Sequence, residues 1–440
     1  MRYIKPSEIN GEIDAPPSKS MMQRAVAAAS LAEGTSMITN PSFCDDALAA
    51  MRIAEGLGAK VTRENTKVII TGGRTPVANT LDCGESGLCM RMFTPIAALF
   101  NEEIVITGSG SLLKRPVEMM EQPLTTLGAS CNTTNGKPPI TVKGPLKGGT
   151  VKVDGSVSSQ FISGLLMALP LCKIDSEIEV VDLKSEQYVA MTIEVLKLFG
   201  IKIKTENDLP IRLKTEGQSC VNSSAELTHN MQKFIIAGKQ NYNVASVTVE
   251  GDWSGAAFLL VAGAIADKIK VNKLSNGLQP DQQIINALKN AGAKIEINNE
   301  NVIVSKDELN AFNFDATNCP DLFPPLVVLA CNCKGTSRIT GVERLLHKES
   351  NRAATLVEEF TKIGAKIKIV GNIMEITGTK LKGGEINSHN DHRIAMACAI
   401  AALKSEKGVK INDPECVAKS YPGFFEDLDK LIGTKINKKR

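Results

Sequence analysis

Aromatic side chains are scarce in this chain, 4% of 440 residues with one Trp and four Tyr. The core must therefore be aliphatic and Ala-rich. Single-stranded nucleic-acid binding, which relies on aromatic stacking platforms, is disfavoured. An excess of one charge is missing too. Lys plus Arg total 51 against 48 Asp plus Glu, a net of +3, without the basic excess a duplex binder gathers on one face. The one basic run, Lys435–Arg440, reads as a solvated tail, so an anionic ligand has to be met by a local cluster. The eleven cysteines contain no Cys-x-x-Cys pair. The nearest approach, Cys331-Asn-Cys333, has no His nearby, so neither a disulfide framework nor a metal site is expected. Thiols used as small apolar residues fit a reducing cytoplasm. The N-terminus lacks the apolar stretch of a signal peptide. The longest apolar run, Ala256–Ala266, falls well short of the ~20 residues a membrane span needs and reads as a buried helix.

What is present is a repeat. The length suits two or three domains, and one phrase returns along it: amphipathic helix, Gly, short β-branched strand, polar turn, second strand. It is seen at Gly58, Gly128, Gly200, Gly292 and Gly364, at spacings of 70, 72, 92 and 72 residues. A Gly just past a helix takes the left-handed conformation that ends it, and alternating apolar residues after it make a half-buried strand. The wide gap between Gly200 and Gly292 is where the chain crosses between two halves. The polar segment Lys233–Glu250, broken at Gly238 and Asn241–Asn243, puts a boundary near 245–250. The expectation is an α/β protein of six βα-rich units in two groups of three.

Several helix starts carry chemistry. Pro17-Ser-Lys19-Ser20 opens a helix from about Ser20, with Ser18 or Ser20 able to cap it and Arg24 one turn along from Ser20. Gly84 and Gly87 allow close backbone approach before a second helix. Arg115 stands just ahead of Pro116 at another helix mouth. Ser158, Ser159 and Gln160 lead into an apolar helix from Phe161, and burying three polar groups there costs free energy unless they are bonded. Ser185 and Tyr188 follow a strand in a comparable place. In His347-Lys348-Glu349-Ser-Asn351-Arg352, a helix would bring Lys348 and Arg352 onto one face with Glu349 beside Arg352, and a solvated ion-pair face is the bland alternative. Asn390-Asp391-His392-Arg393 precedes an apolar helix from Ile394, and Lys419 lies just before the closing helix. Singly, each is an ordinary capped helix or surface charge. Together with Arg344 and Asp321 they would line one cleft suited to small, multiply anionic substrates, if the helix N-termini converge.

These stretches, in this order and over nearly the whole chain, resemble the EPSP synthase family of enolpyruvyl transferases. The resemblance implies an inside-out α/β barrel architecture in two domains, 17–248 and 1–16 plus 249–440, closing on substrate between them. It implies transfer of the enolpyruvyl group of phosphoenolpyruvate to the 5-hydroxyl of shikimate 3-phosphate, with release of phosphate. Shikimate 3-phosphate would be bound by Lys19, Ser20, Arg24, Ser158, Ser159, Gln160, Ser185, Asp321, Arg344 and Lys348. Phosphoenolpyruvate would be bound by Lys19, Gly87, Arg115, Gln160, Arg352, Arg393 and Lys419. Asp321, Glu349 and Lys19 would be the catalytic groups, Asp321 taking the hydroxyl proton and Glu349 protonating the methylene carbon. Neither step calls for a metal or cofactor, and a cytoplasmic monomer is expected, with no nucleic-acid or membrane partner. The chain departs from the family's Asn-Ala-Gly-Thr-Ala-Met-Arg-Pro stretch, having Glu85-Ser-Gly87-Leu88-Cys-Met-Arg91-Met92. Asn351 stands where Asp is usual, and Arg344 where some members have Asn. The alternatives are the sister reaction on UDP-N-acetylglucosamine, or a non-catalytic binding protein on the same scaffold.

Overall fold

The computed structural model describes residues 1–156, 158–206, 231–346 and 348–433. His347 and the basic run Lys435–Arg440 lie outside the described residues. Six helices organise the interior: α1 (Lys19–Leu31), α2 (Gly87–Ala97), α3 (Ser159–Ala168), α4 (Trp253–Ala266), α5 (Phe323–Cys331) and α6 (His392–Ala402). The first three pack together in one hydrophobic core and the last three in another. Small residues make this possible. Ala25, Ala27, Ala28 and Ala29 of α1 and Ala256, Ala257 and Ala262 of α4 are wholly buried, so helix axes approach closely without aromatic filling. No helix among the described residues is long and apolar enough to cross a membrane.

Among the described residues, six sheets surround these helices, five of four strands and one of three. In one four-stranded example, Thr80–Asp82 runs parallel to Glu103–Thr107, which pairs with the hairpin Ser130–Thr134 and Lys137–Lys143. The hairpins follow the left-handed glycines of the repeat, Gly58, Gly128, Gly200, Gly292 and Gly364, all with φ between +81° and +103°. The three-stranded sheet lacks a hairpin: Arg2–Ile4 pairs antiparallel to Val409–Asn412 in its place.

Two strands complete sheets far away in sequence. Ile9–Asp14 pairs with Asp267–Asn272, and Ser246–Thr248 with Thr35–Thr39. The chain therefore passes between cores at two adjacent places. They lie side by side, with Ser18 N donating to Glu250 O at 2.8 Å and Asp252 N to Pro16 O at 2.7 Å. The polar segment expected to cross begins later than its composition suggested, because Met231–Ile236 is an interior strand of its sheet.

Helices α2 and α3 are in backbone contact. A Cβ on Gly164 would sit 2.6 Å from the carbonyl oxygen of Met92 and 2.9 Å from that of Arg91. Gly164→Ala is expected to cost about 1–3 kcal/mol, as overpacking at rigid backbone does. A thermal midpoint equal to the parent's would contradict that contact.

Candidate active site

The N-termini of all six interior helices face a cavity of about 1000 Å³. It is lined by Lys19 and Ser20 of α1, Gly87 and Arg91 of α2, Ser158, Ser159 and Gln160 at α3, Asp252 and Ser254 at α4, Pro320 and Asp321 ahead of α5, and Arg393 of α6. Local sequence sets each mouth. Ser18 accepts from Met21 N at 3.3 Å, which settles the choice of cap. Ser86, Ser158 and Asp252 cap α2, α3 and α4, and Asp391 caps α6. Aligned helix dipoles make such a convergence favourable for anions.

Charged side chains fill the rest. Asp321 accepts from Arg352 Nη1 at 2.9 Å, Arg393 Nη2 at 3.0 Å and Lys348 Nζ at 3.2 Å. Burial favours its neutral form, but these three cations outweigh it and hold the carboxyl well below its ordinary range. Glu349 pairs with Arg352 and lies 3.9 Å from Arg115 Nη2 across the cleft. Burial again opposes ionisation, and Arg352 and Arg115 overcome it. Lys19 Nζ donates to Asp46 at 3.0 Å. Burial would lower its pKa, but Asp46 and Glu349 more than offset this. Arg24 is held by Thr192 at 2.8 Å and by the backbone carbonyl of Ser20 at 2.9 Å, and burial pushes its pKa down to about 10. Arg91 reaches Gln160 Oε1 at 3.0 Å, and burial with the nearby Arg115 likewise brings it to about 10. The Nε atoms of Arg91, Arg115 and Arg344 are buried without a hydrogen-bond partner. Three cations with unmet donors around one cavity suit an anionic occupant.

The expected residues fall together with two exceptions. Lys19, Ser20, Arg24, Gly87, Arg115, Ser158, Ser159, Gln160, Ser185, Asp321, Arg344, Lys348, Glu349 and Arg393 all line the cavity. Arg352 and Lys419 do not. Arg352 is fully buried, donating to Asp391 from Nε at 2.9 Å and Nη2 at 3.1 Å as well as to Asp321 and Glu349. Lys419 donates to Glu85 at 2.9 Å and to the carbonyl of Asn390 at 2.6 Å. The helical reading of the Lys348–Arg352 stretch needs correcting. The helix begins at Arg352, with Asn351 as its cap, so Lys348 and Arg352 meet through Asp321 and not along a helix face. A solvated ion-pair face is excluded by the burial of Arg352.

Some lining residues went unrecognised. Asp46 and Asp252 also line the cleft and both hold Lys19: Asp46 accepts from its Nζ at 3.0 Å and Asp252 Oδ2 from its backbone N at 3.0 Å. An Asp immediately before the apolar helix 253–266 is a cap signal that could have marked it. Asp281, wholly buried, accepts from Ser254, and its Oδ1 has no partner. Burial, then the nearby Asp321, raises it from an ordinary 3.8 to about 7. The folded state thus holds this proton more tightly than the unfolded one, so raising pH from 4 through 7 costs stability. Asp281→Asn removes that cost. Its thermal midpoint relative to the parent is expected to climb between pH 5 and pH 8, whereas a difference constant with pH would count against the assignment.

The EPSP synthase family model (3-phosphoshikimate 1-carboxyvinyltransferase) matches residues 4–229 and 221–428. The chain is 38% identical over 437 residues to a 3-phosphoshikimate 1-carboxyvinyltransferase of Clostridium perfringens, spanning 98% of both proteins. It is 40% identical over 444 residues to a protein of the same name from Methanosarcina acetivorans, again 98% of both. Its fold superposes on an EPSP synthase structure from Acinetobacter baumannii with a TM-score of 0.77 and 27% identity, covering 98% of this chain and 97% of the other.

Proposed function

The chain belongs to the EPSP synthase family, and from that premise we propose how its cleft side chains divide the reaction. It is a transferase, moving the enolpyruvyl group of phosphoenolpyruvate to the 5-hydroxyl of shikimate 3-phosphate and releasing phosphate. The observation that carries the assignment of the site is the convergence of six helix N-termini and a ring of cations on a cavity that also holds Asp321 and Glu349.

Residues 17–248 form one domain, and 1–16 with 249–440 the other, the paired crossings near Pro16–Ser18 and Glu250–Asp252 acting as the hinge. Lys19, Ser20, Arg24, Ser158, Ser159, Gln160, Ser185, Arg344 and Lys348 hold shikimate 3-phosphate. Lys19, Gly87, Arg115, Gln160, Arg352, Arg393 and Lys419 hold phosphoenolpyruvate. Glu349 protonates the methylene carbon, so the adjacent carbon gains cationic character. The 5-hydroxyl oxygen bonds to that carbon while Asp321 takes its proton. Glu349, now a carboxylate, takes one proton back from the new methyl group as the carbon–oxygen bond to phosphate breaks, which restores the enol ether and releases phosphate. Lys19 steadies the charge shared between the two substrates.

Glu349 must be protonated to act as an acid, yet Arg352 and Arg115 hold it ionised. Phosphoenolpyruvate supplies the change. Its anionic groups pair with those two arginines, release Glu349 from Arg352, and add negative charge beside it, and each effect raises its pKa. Ten described cysteines are all buried and free, in keeping with a cytoplasmic enzyme, which we take to act as a monomer.

The test is phosphate release from phosphoenolpyruvate with shikimate 3-phosphate or UDP-N-acetylglucosamine as acceptor. Release is expected with the first alone. Release with only the second would transfer the assignment to the sister reaction.

A further inference from the structure

We propose that Glu85 gates the phosphoenolpyruvate subsite by competing with the substrate for Lys419. Glu85 stands two residues before Gly87, at the mouth of α2. Its carboxylate crosses to the other core, accepting from Lys419 Nζ at 2.9 Å and from Asn390 Nδ2 at 2.8 Å. The pair is largely sheltered, with side-chain exposures of 8% for Lys419 and 18% for Glu85. Gly110, at φ +55°, makes room for it: a Cβ there would stand 2.6 Å from the Glu85 carboxyl carbon. The carboxylate is therefore seated against its own half while it clasps the other.

The consequence is chemical. Lys419 spends two of its three donors on Glu85 and the Asn390 carbonyl and does not line the cavity, whereas Gly87 and Arg115 do. Glu85 and the Asn390 carbonyl hold Lys419 Nζ away from the cavity, so an entering anion has to compete with Glu85 for the ammonium group. The cation is thus given up to a ligand of sufficient charge, which makes Glu85 a specificity-determining residue. The inference rests on the reading that Lys419 binds phosphoenolpyruvate.

Glu85→Gln keeps the shape and removes the charge. The KM for phosphoenolpyruvate is expected to fall roughly fivefold, the weight of a partly screened ion pair, while the KM for shikimate 3-phosphate stays as it was. In a Lys419→Gln background, where the KM for phosphoenolpyruvate should already be raised, adding Glu85→Gln should change nothing further. Should a variant turn over too slowly, calorimetric titration of phosphoenolpyruvate in the presence of shikimate 3-phosphate reads the same ratios. An unchanged or higher KM in Glu85→Gln overturns the gate, as does an equal fall in both backgrounds. If Lys419→Gln leaves the KM for phosphoenolpyruvate untouched, the assignment of Lys419 fails, and the gate with it.

Discussion

Glu349→Gln is expected to lower kcat by about 10²–10⁴-fold, the usual contribution of a positioned acid, with the KM for each substrate changing far less. The amide keeps the size of the side chain and can still accept from Arg352, so the pocket should survive. What is lost is a group able to pass a proton to carbon. A steady-state comparison of kcat and KM decides the matter. If both substrates bind more weakly in proportion to the loss of turnover, Glu349 is a binding residue and the role proposed for it is wrong. The pairing with Arg352 and Arg115 sharpens this expectation. A Gln carries no charge for those arginines to neutralise, so more of their positive charge is left for phosphoenolpyruvate, and its affinity should hold or improve.

Arg352→Ala should be the most damaging substitution for folding, by about 3–5 kcal/mol, because removing one partner of a buried ion pair strands the other. Asp391 is wholly buried and receives two of the guanidinium's bonds. Ser350 Oγ and the Arg393 backbone N–H, both at 3.0 Å, would remain, but no neutralising cation would. Asp321 and Glu349 would lose a partner in the same stroke. Urea unfolding of the variant beside the parent measures the cost. A loss below 1 kcal/mol would mean that water or Arg393 replaces the lost charge, and Arg352 would no longer be the keystone of the network.

Much of this was legible from local sequence, because local rules built it. Left-handed glycines ended helices where the repeat put them, and serines before apolar helices capped them. The helices read after Ser20, Gly87, Gln160 and Arg393 and at 256–266 are buried with their mouths on the cavity, whereas Phe323–Cys331, short and opened by two prolines, carried no such signal. Other features depend on distance along the chain and leave little local trace. The pairing of Ile9–Asp14 with Asp267–Asn272 spans more than half the protein, and nothing in either strand names its partner. Taken by itself Arg352 is one charge in a run that a solvated face would also explain, and its burial depends on Asp391 and Asp321 arriving from elsewhere in the fold. Asp46 and Asp252 were missed because an acidic residue at a helix start is so common as a cap that its second task, holding Lys19, is invisible without the structure.

The most direct test of the account follows the carbon that Glu349 is said to protonate. The enzyme is run in deuterium oxide with phosphoenolpyruvate and shikimate 3-phosphate, and the product is read by NMR. Addition followed by elimination passes through a methyl group, so the expected product is an enol ether at the 5-oxygen carrying deuterium on its methylene carbon, with one phosphate released for each molecule formed. A product whose methylene carbon stays free of solvent deuterium, or release of phosphate with no enol ether formed, would contradict it.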